Sequence, residues 1–412
     1  VDWISDLKLR GSYGVLGVNT LDAYDYIGSL NQAPDAVFGS GQVTYPGAIQ
    51  AKIASEDLKW EEKSTTNLGL DAALFNDQFI VNLDLFRSVS KDVLIRPPLP
   101  GYLGNLIDNP YQNIGSIQNK GLELNLGYRP KLDGEFKWDI AGNISIVRNK
   151  VLSLGNLGID TETGQPKDYI QSGNTRTQVG RSIGEYYVLK TDGIFQNQAE
   201  INAHKAQSAY AKPGDIRYVN TIDGGTNDDI NDKDRVFAGS AFPKFTSGLQ
   251  FNSRYKDFSL TIQLYGAFGQ KLYNDVLRDL DSYGNSNYRR AINPWTPGNT
   301  DTTFPRLGYQ FAANDRGINE NARGNTDRWI EDGSFLRLRN VELGYSFPQK
   351  LISKANISSL RLYVSGQNLF TITKYSGLDP DVVGANPNLE PGVDNGNYPS
   401  SRIISFGLSV GF

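Results

Sequence analysis

The feature that most restricts this chain is a strict two-residue alternation of apolar and polar side chains, repeated in long segments. Phe79, Val81, Leu83 and Leu85 alternate with Asn82 and Asp84; Leu122, Leu124, Leu126 and Tyr128 alternate with Glu123, Asn125, Gly127 and Arg129. Phe136, Trp138, Ile140, Ile144 and Ile146 share one parity, against Lys137, Asp139, Asn143 and Ser145. Phe258 to Leu264 and Leu360 to Val364 repeat the pattern. Such runs are strands with one greasy and one hydrated face. Weaker members lie at 6–15, 64–75, 244–255, 334–347 and 401–412. Within 334–347 the apolar parity changes between Leu338 and Val341, which predicts a bulge near Arg339-Asn340. About ten long strands result, with helical periodicity confined to short turns around 196–206 and 348–355.

Alternation suits a soluble sandwich as well as a membrane barrel, and the connections discriminate between them. Tight polar turns at 75–78, 128–136 and 255–258 alternate with long segments at 16–63, 88–112, 149–243, 269–333 and 371–400. A compact sandwich has no use for five loops longer than ~12–15 residues at one end. Outer-membrane barrels combine short periplasmic turns with long external loops. Strands of about ten to fourteen residues also exceed the usual five or six of globular sheets. Aromatic residues gather at strand ends (Tyr13, Phe75, Tyr128, Tyr255, Tyr345, Phe370), as an interfacial girdle requires. The last strand alternates Ile404, Phe406, Leu408, Val410 and Phe412 with Ser405, Gly407, Ser409 and Gly411. The expected fold class is therefore an all-β, antiparallel transmembrane β-barrel, with a large extracellular loop region at about 149–243.

Composition removes competing classes. No apolar run approaches the ~18 residues of a transmembrane helix. A net charge of −4 and a pI near 5.3, without a basic run, give nucleic acid no surface. There are no cysteines, so disulfides and thiolate chemistry are absent. The one histidine, His204, lies in a polar run with no nucleophile motif nearby. Carboxylate pairs such as Glu61-Glu62 and Asp379 with Asp381 flank no recognisable reaction centre, so no catalytic residue is expected. Val1-Asp2-Trp3 opens without a basic or apolar leader, so a signal peptide is expected to be missing from this sequence.

Several segments, in order, resemble the SusC/RagA family of TonB-dependent transporters. They include Asp6-Leu7-Lys8-Leu9-Arg10-Gly11-Ser12-Tyr13-Gly14, Gly115-Ser116-Ile117-Gln118-Asn119-Lys120-Gly121-Leu122-Glu123 and Pro213-Gly214-Asp215-Ile216-Arg217-Tyr218. Trp329 to Leu338 and Gly366-Gln367-Asn368-Leu369-Phe370-Thr371 complete the set. The resemblance implies a 22-stranded barrel with an N-terminal plug, energised by TonB and lidded by a SusD-like surface lipoprotein. No plug or TonB box is recognisable here, so residues 1–412 are expected to be the C-terminal part of such a barrel, with lipid around it. The implied activity is import of oligomeric nutrients, glycan first and peptide second. A passive porin or adhesin barrel and a secreted all-β carbohydrate-binding or hydrolytic protein are the alternatives.

Two constellations qualify as candidate sites. The acidic stretch 223–234 resembles a calcium loop, with Asp223, Asn227 and Asp234 at positions one, five and twelve; Gly225 and Asp228 break the pattern. No other cofactor is expected. Tyr102, Tyr283, Tyr288, Arg289, Trp295 and Trp329 fall in external loops, where aromatic faces and a guanidinium fork suit sugars or peptide carboxylates.

Overall fold

A computed structural model of the chain describes all residues except 1–2, 20, 22–23, 25, 33–34, 56, 97–109, 161–162, 222–228, 282–288, 309–314 and 385. Ten antiparallel strands form one sheet in which sequence neighbours are spatial neighbours. They are β1 (Ile4–Val18), β2 (Glu61–Leu74), β3 (Phe79–Ile95), β4 (Gln112–Tyr128), β5 (Phe136–Ser153), β6 (Phe245–Tyr255), β7 (Phe258–Phe268), β8 (Phe335–Ser346), β9 (Ser359–Gln367) and β10 (Ile403–Gly411). The short stretch Thr371–Thr373 pairs with the upper end of β8. This up-and-down order is that of a barrel wall. Among the described residues, β1 and β10 are the two edges of the sheet and do not pair with each other.

The strands run from 9 to 18 residues, so several outrun the expected ten to fourteen. The excess lies at the upper ends of β3, β4 and β5, where pairing continues to Ile95↔Gln112 and Ser116↔Ser153. Polar side chains there occupy both parities, so alternation fades before the ladder does. The phase change in β8 is a bulge: Gln263 opposes Asn340 and Leu264 opposes Leu338, leaving Arg339 unpaired between them. Turns join the strands at 75–78, 129–135, 256–257 and 347–358 at one end; all five long connections leave the other.

Register separates the two faces row by row. Leu9, Leu70, Leu83, Leu124 and Ile144 lie opposite one another across five strands. One step along, Lys8, Asp71, Asn82, Asn125 and Asn143 form the parallel polar row. The greasy face meets no second sheet. Leu9, Leu68, Leu85, Leu126, Ile144 and Leu343 are all exposed, and Leu9 is 81% accessible. An apolar band of this extent is untenable in water and suits hydrocarbon. That observation eliminates the soluble sandwich.

Rings concentrate at the turn end of the greasy face. Trp3, Phe75, Phe79, Tyr128, Trp138 and Phe251 are linked in series with centroids 4.3–6.2 Å apart. Farther round, Tyr345 packs against Phe258 at 4.8 Å and Phe347 at 5.0 Å. This is an interfacial belt, where an amphipathic ring bridges acyl chains and headgroups.

The buried apolar core lies at the opposite end, in the long connections. Three of them, 154–244, 269–334 and 368–402, interlock into one outer region. A four-stranded sheet (Tyr169–Ser172, Thr175–Gln178, Glu185–Leu189, Arg235–Gly239) sits beside a three-stranded one (Lys271–Asn274, Ile330–Asp332, Val393–Asp394) drawn from two other connections. Helices at Gln198–Ala203 and Lys205–Ser208 match the expected turn, while Asp275–Asp281 and Arg316–Asn321 are helices the sequence did not announce. Their six or seven residues are too few for a periodic signal.

Candidate functional site

The polar face of the wall is held by side chains that bond across strands. Arg10 donates from Nε and Nη2 to both oxygens of Asp71 at 2.7 and 2.9 Å, and from Nη2 to Asp84 at 3.1 Å. Asn82 supports Asp71 at 2.9 Å and Asn67 supports Asp84 at 3.0 Å. The guanidinium crosses directly over Gly69, where a β-carbon would stand 2.6 Å from its Cζ. Farther round, Asn252 donates to Asp139 at 2.8 Å, Gln263 to Gln250 at 3.2 Å, and Arg361 to Glu342 at 2.6 Å. Arg10 and Arg361 are neutralised in pairs on this face, and amides bridge neighbouring strands around them. A groove of about 620 Å³ on it is lined by Gln263, Arg339, Asn340, Gln367 and Ser405 among others. Such a surface is a hydrated, wettable lining.

The outer region leans over that lining. Val151 of β5, on the polar parity, bonds through its backbone to Gly180 and Arg181, and Asn149 accepts from the Ile183 amide at 2.9 Å. The hairpin is clamped from its other side by the third connection: Thr175 donates to the Leu389 carbonyl at 2.6 Å and Ser172 to Glu390 at 2.8 Å. Tyr186 donates its hydroxyl to the Gly392 carbonyl at 2.9 Å. Gly184, at φ +59°, leaves no room for a β-carbon against Pro391.

Two arginine clusters tie these connections together. Arg306 pairs with Asp215 (Nε–Oδ1 2.5 Å) and Asp315 (Nη2–Oδ1 2.7 Å), and Asn321 adds a bond to Asp215 at 2.8 Å. The Arg306 hydrogen bond holds Asp315 well below the usual carboxylate range. Arg337, 1% exposed, projects from β8 into the third connection, where it pairs with Asp379 and bonds Ser400 at 3.1 Å and Thr371 at 3.0 Å. Tyr375 donates to buried Asp394 at 2.6 Å; burial, reinforced by that carboxylate, pushes its phenol far above the ordinary value.

The predicted site residues fare unevenly. Trp295 and Trp329 are core residues, which corrects the expectation that they face ligand. Trp329 is 3% exposed, packs with Tyr186 and Tyr273, and donates Nε1–H to the Arg323 carbonyl at 2.8 Å. Trp295 is 8% exposed, packs with Leu189, Ile216 and Tyr218, and donates to Gln196 at 2.9 Å. Rings so enclosed have no face left for a sugar. Arg289 is half-exposed but holds Asp281 through a bidentate pair at 2.6 and 2.5 Å. Asp234 is buried and caps the turn Asp232–Asp234: its oxygens accept from the Thr221 and Asn231 amides at 2.9 and 3.0 Å. Tyr102, Tyr283, Tyr288, Asp223 and Asn227 lie outside the described residues. Among the described residues no three His, Asp or Glu side chains converge as a metal site. Sequence reasoning missed Arg10, Arg306 and Arg337; for Arg10, its polar parity on β1 opposite acidic β2 and β3 was the available signal.

Comparison with known proteins agrees with this geometry. Residues 1–369 match the family described as TonB dependent receptor-like, beta-barrel. TonB-dependent receptor P3 of Formosa agariphila is 32% identical over 99% of this chain and 40% of its own length. TonB-dependent receptor SusC of Bacteroides thetaiotaomicron is 27% identical over 100% of this chain and 38% of its own. The structure of the RagAB peptide transporter superposes with a TM-score of 0.78 at 23% identity, covering 100% of this chain and 41% of that one. The chain thus spans about 40% of the length of the relatives it matches. These relatives are TonB-dependent receptors, not enzymes. The chain belongs to the TonB-dependent receptor β-barrel family of the outer membrane.

Proposed function

We propose that this chain forms part of the barrel wall and the outer gate of an energy-coupled importer of oligomeric nutrients, most suitably glycans. The observation that carries the reading is the asymmetry of the wall. A greasy face for lipid backs a paired, amide-rich lining, and an outer region with its own core leans over that lining. In this reading the outer region and a SusD-like lipoprotein capture ligand, TonB acts on a plug supplied outside residues 1–412, and the wall stays static. Further strands joining β1 and β10 close the barrel, because open edges cannot face hydrocarbon. Calcium in the 223–234 stretch belongs to the same proposal as an accessory structural ion.

The test is uptake of fluorescent oligosaccharides and oligopeptides by cells carrying the whole transporter, with and without functional TonB. Oligosaccharide accumulation that disappears without TonB is expected. Uptake that persists without TonB identifies a porin. TonB-dependent uptake of peptides alone overturns the glycan assignment and leaves the transporter class standing.

A further inference from the structure

One face of the four-stranded outer sheet is packed against the third connection through Thr175 and Tyr186. The other face carries a ladder of alternating cations and rings. Lys167 Nζ lies 5.1 Å from the Tyr169 ring centre and Arg176 Cζ lies 3.9 Å from the same centre. Arg176 is also 3.5 Å from the Tyr187 ring, which packs at 5.0 Å on Phe237, itself 3.5 Å from Arg181. Arg181 pairs with Glu185 at 2.5 Å. Arg176 and Lys167 have no carboxylate partner among the described residues. The Arg176 Nε–H is used by Gln171 at 2.9 Å, which fixes the plane of the guanidinium and leaves both terminal nitrogens undirected.

A guanidinium clamped between two rings and pinned at Nε has lost most of its rotamer freedom. Its remaining N–H groups form a rigid fork, the geometry that matches the two oxygens of a carboxylate or sulfate. A structural arginine in this family of contacts usually finds a carboxylate; here the opposing residue in register, Glu185, is taken by Arg181. Gln171 and Gln178 flank the fork on the same face, opposite Arg176 and Tyr169 in register. Gln171 is held by Arg176 and by the Gly173 carbonyl, and Gln178 donates to Asp168 at 3.1 and 3.3 Å, so the fork is framed by fixed polar groups, which suit a hydroxyl-rich ligand better than apolar side chains.

We propose that Arg176, assisted by Lys167, is an oxyanion-binding site that takes the carboxylate or sulfate of an acidic oligosaccharide. The proposal rests on the importer reading for its biological setting and extends it to a substrate class.

Isothermal titration calorimetry on the detergent-purified whole transporter tests it, with an oligogalacturonate, its methyl ester, a sulfated oligosaccharide and a glutamate-rich peptide as probes. An acidic oligosaccharide should bind at least about tenfold more tightly than the neutral ester, and Arg176→Gln should remove that preference. Arg176→Lys should recover part of it, since charge returns without the fork. Lys167→Gln, at a half-buried position where the side chain lies over the Tyr169 ring, should weaken acidic binding with little change in the melting temperature. Oligogalacturonate binding reports the carboxylate, and binding of the sulfated probe alone reports the sulfate. Equal affinity for acid and ester, no binding of either acidic oligosaccharide, insensitivity to both substitutions, or Arg176-dependent binding of the peptide alone each overturns the proposal. None of these outcomes depends on TonB, so failure here and failure of the importer reading are separable.

Discussion

Trp329 and Trp295 illustrate how a loop residue can be indispensable without touching ligand. Each fills a buried site and satisfies its indole N–H, so truncation removes packing and strands an acceptor. Trp329→Ala should destabilise the outer region by roughly 3–5 kcal/mol. Limited proteolysis should then cut within 154–244 at temperatures that spare the unsubstituted protein; unchanged resistance would show that the outer core does not depend on this ring. Asp315 gives the outer region an acid dependence of definite sign. Its pKa is depressed in the fold, chiefly by Arg306, so its contribution is fully present above the ordinary value of 3.8 and is lost as pH falls below it. Asp315→Asn should lower the melting temperature near pH 7 and flatten its decline below about pH 4. Melting curves with the same acid slope in both proteins would assign the acid sensitivity elsewhere.

At the scale of strands, the bulge in β8 makes a discriminating case. Asn340 and Leu338 face the lining and lipid respectively, as a regular ladder would place them, and Arg339 is the surplus residue. Deleting Arg339 should therefore leave every neighbouring side chain on its present face, and the barrel should still assemble. Deleting Asn125 from the regular centre of β4 reverses one end of that strand, driving Glu123 or Gly127 and their companions to the wrong side. The mobility difference between heated and unheated samples on a denaturing gel reads assembly in both. Survival of the Asn125 deletion would refute the register. Strand centres were legible in the sequence because the lipid boundary imposes alternation on them. The upper ends of β3 to β5 were not, because above the lipid both faces carry polar groups. The outer core was invisible for a different reason: its strands are two to five residues long, and partners such as Leu189 and Asn325, or Tyr273 and Gly392, are far apart in the chain. The same distance hid the arginine clusters, whereas the ionic rungs Arg10, Asp71 and Asp84 followed from parity once strand order was known.

For the whole molecule, the account requires that one side of a single curved sheet touches lipid and the other touches water, with the buried core displaced to one end. The absence of cysteine from residues 1–412 makes this measurable, since an introduced thiol is unique within them and any cysteine elsewhere in the transporter can be replaced by serine. Single cysteines at consecutive positions 82 to 85 of β3, in the whole transporter reconstituted into bilayers, can carry a nitroxide label. Its collision rates with oxygen and with a water-soluble nickel chelate report its surroundings. Labels at 83 and 85 should favour oxygen, labels at 82 and 84 the nickel chelate, in strict alternation. Positions 83 and 85 shielded from both reagents, as in a dry interior between two sheets, would contradict the barrel wall on which every functional conclusion stands.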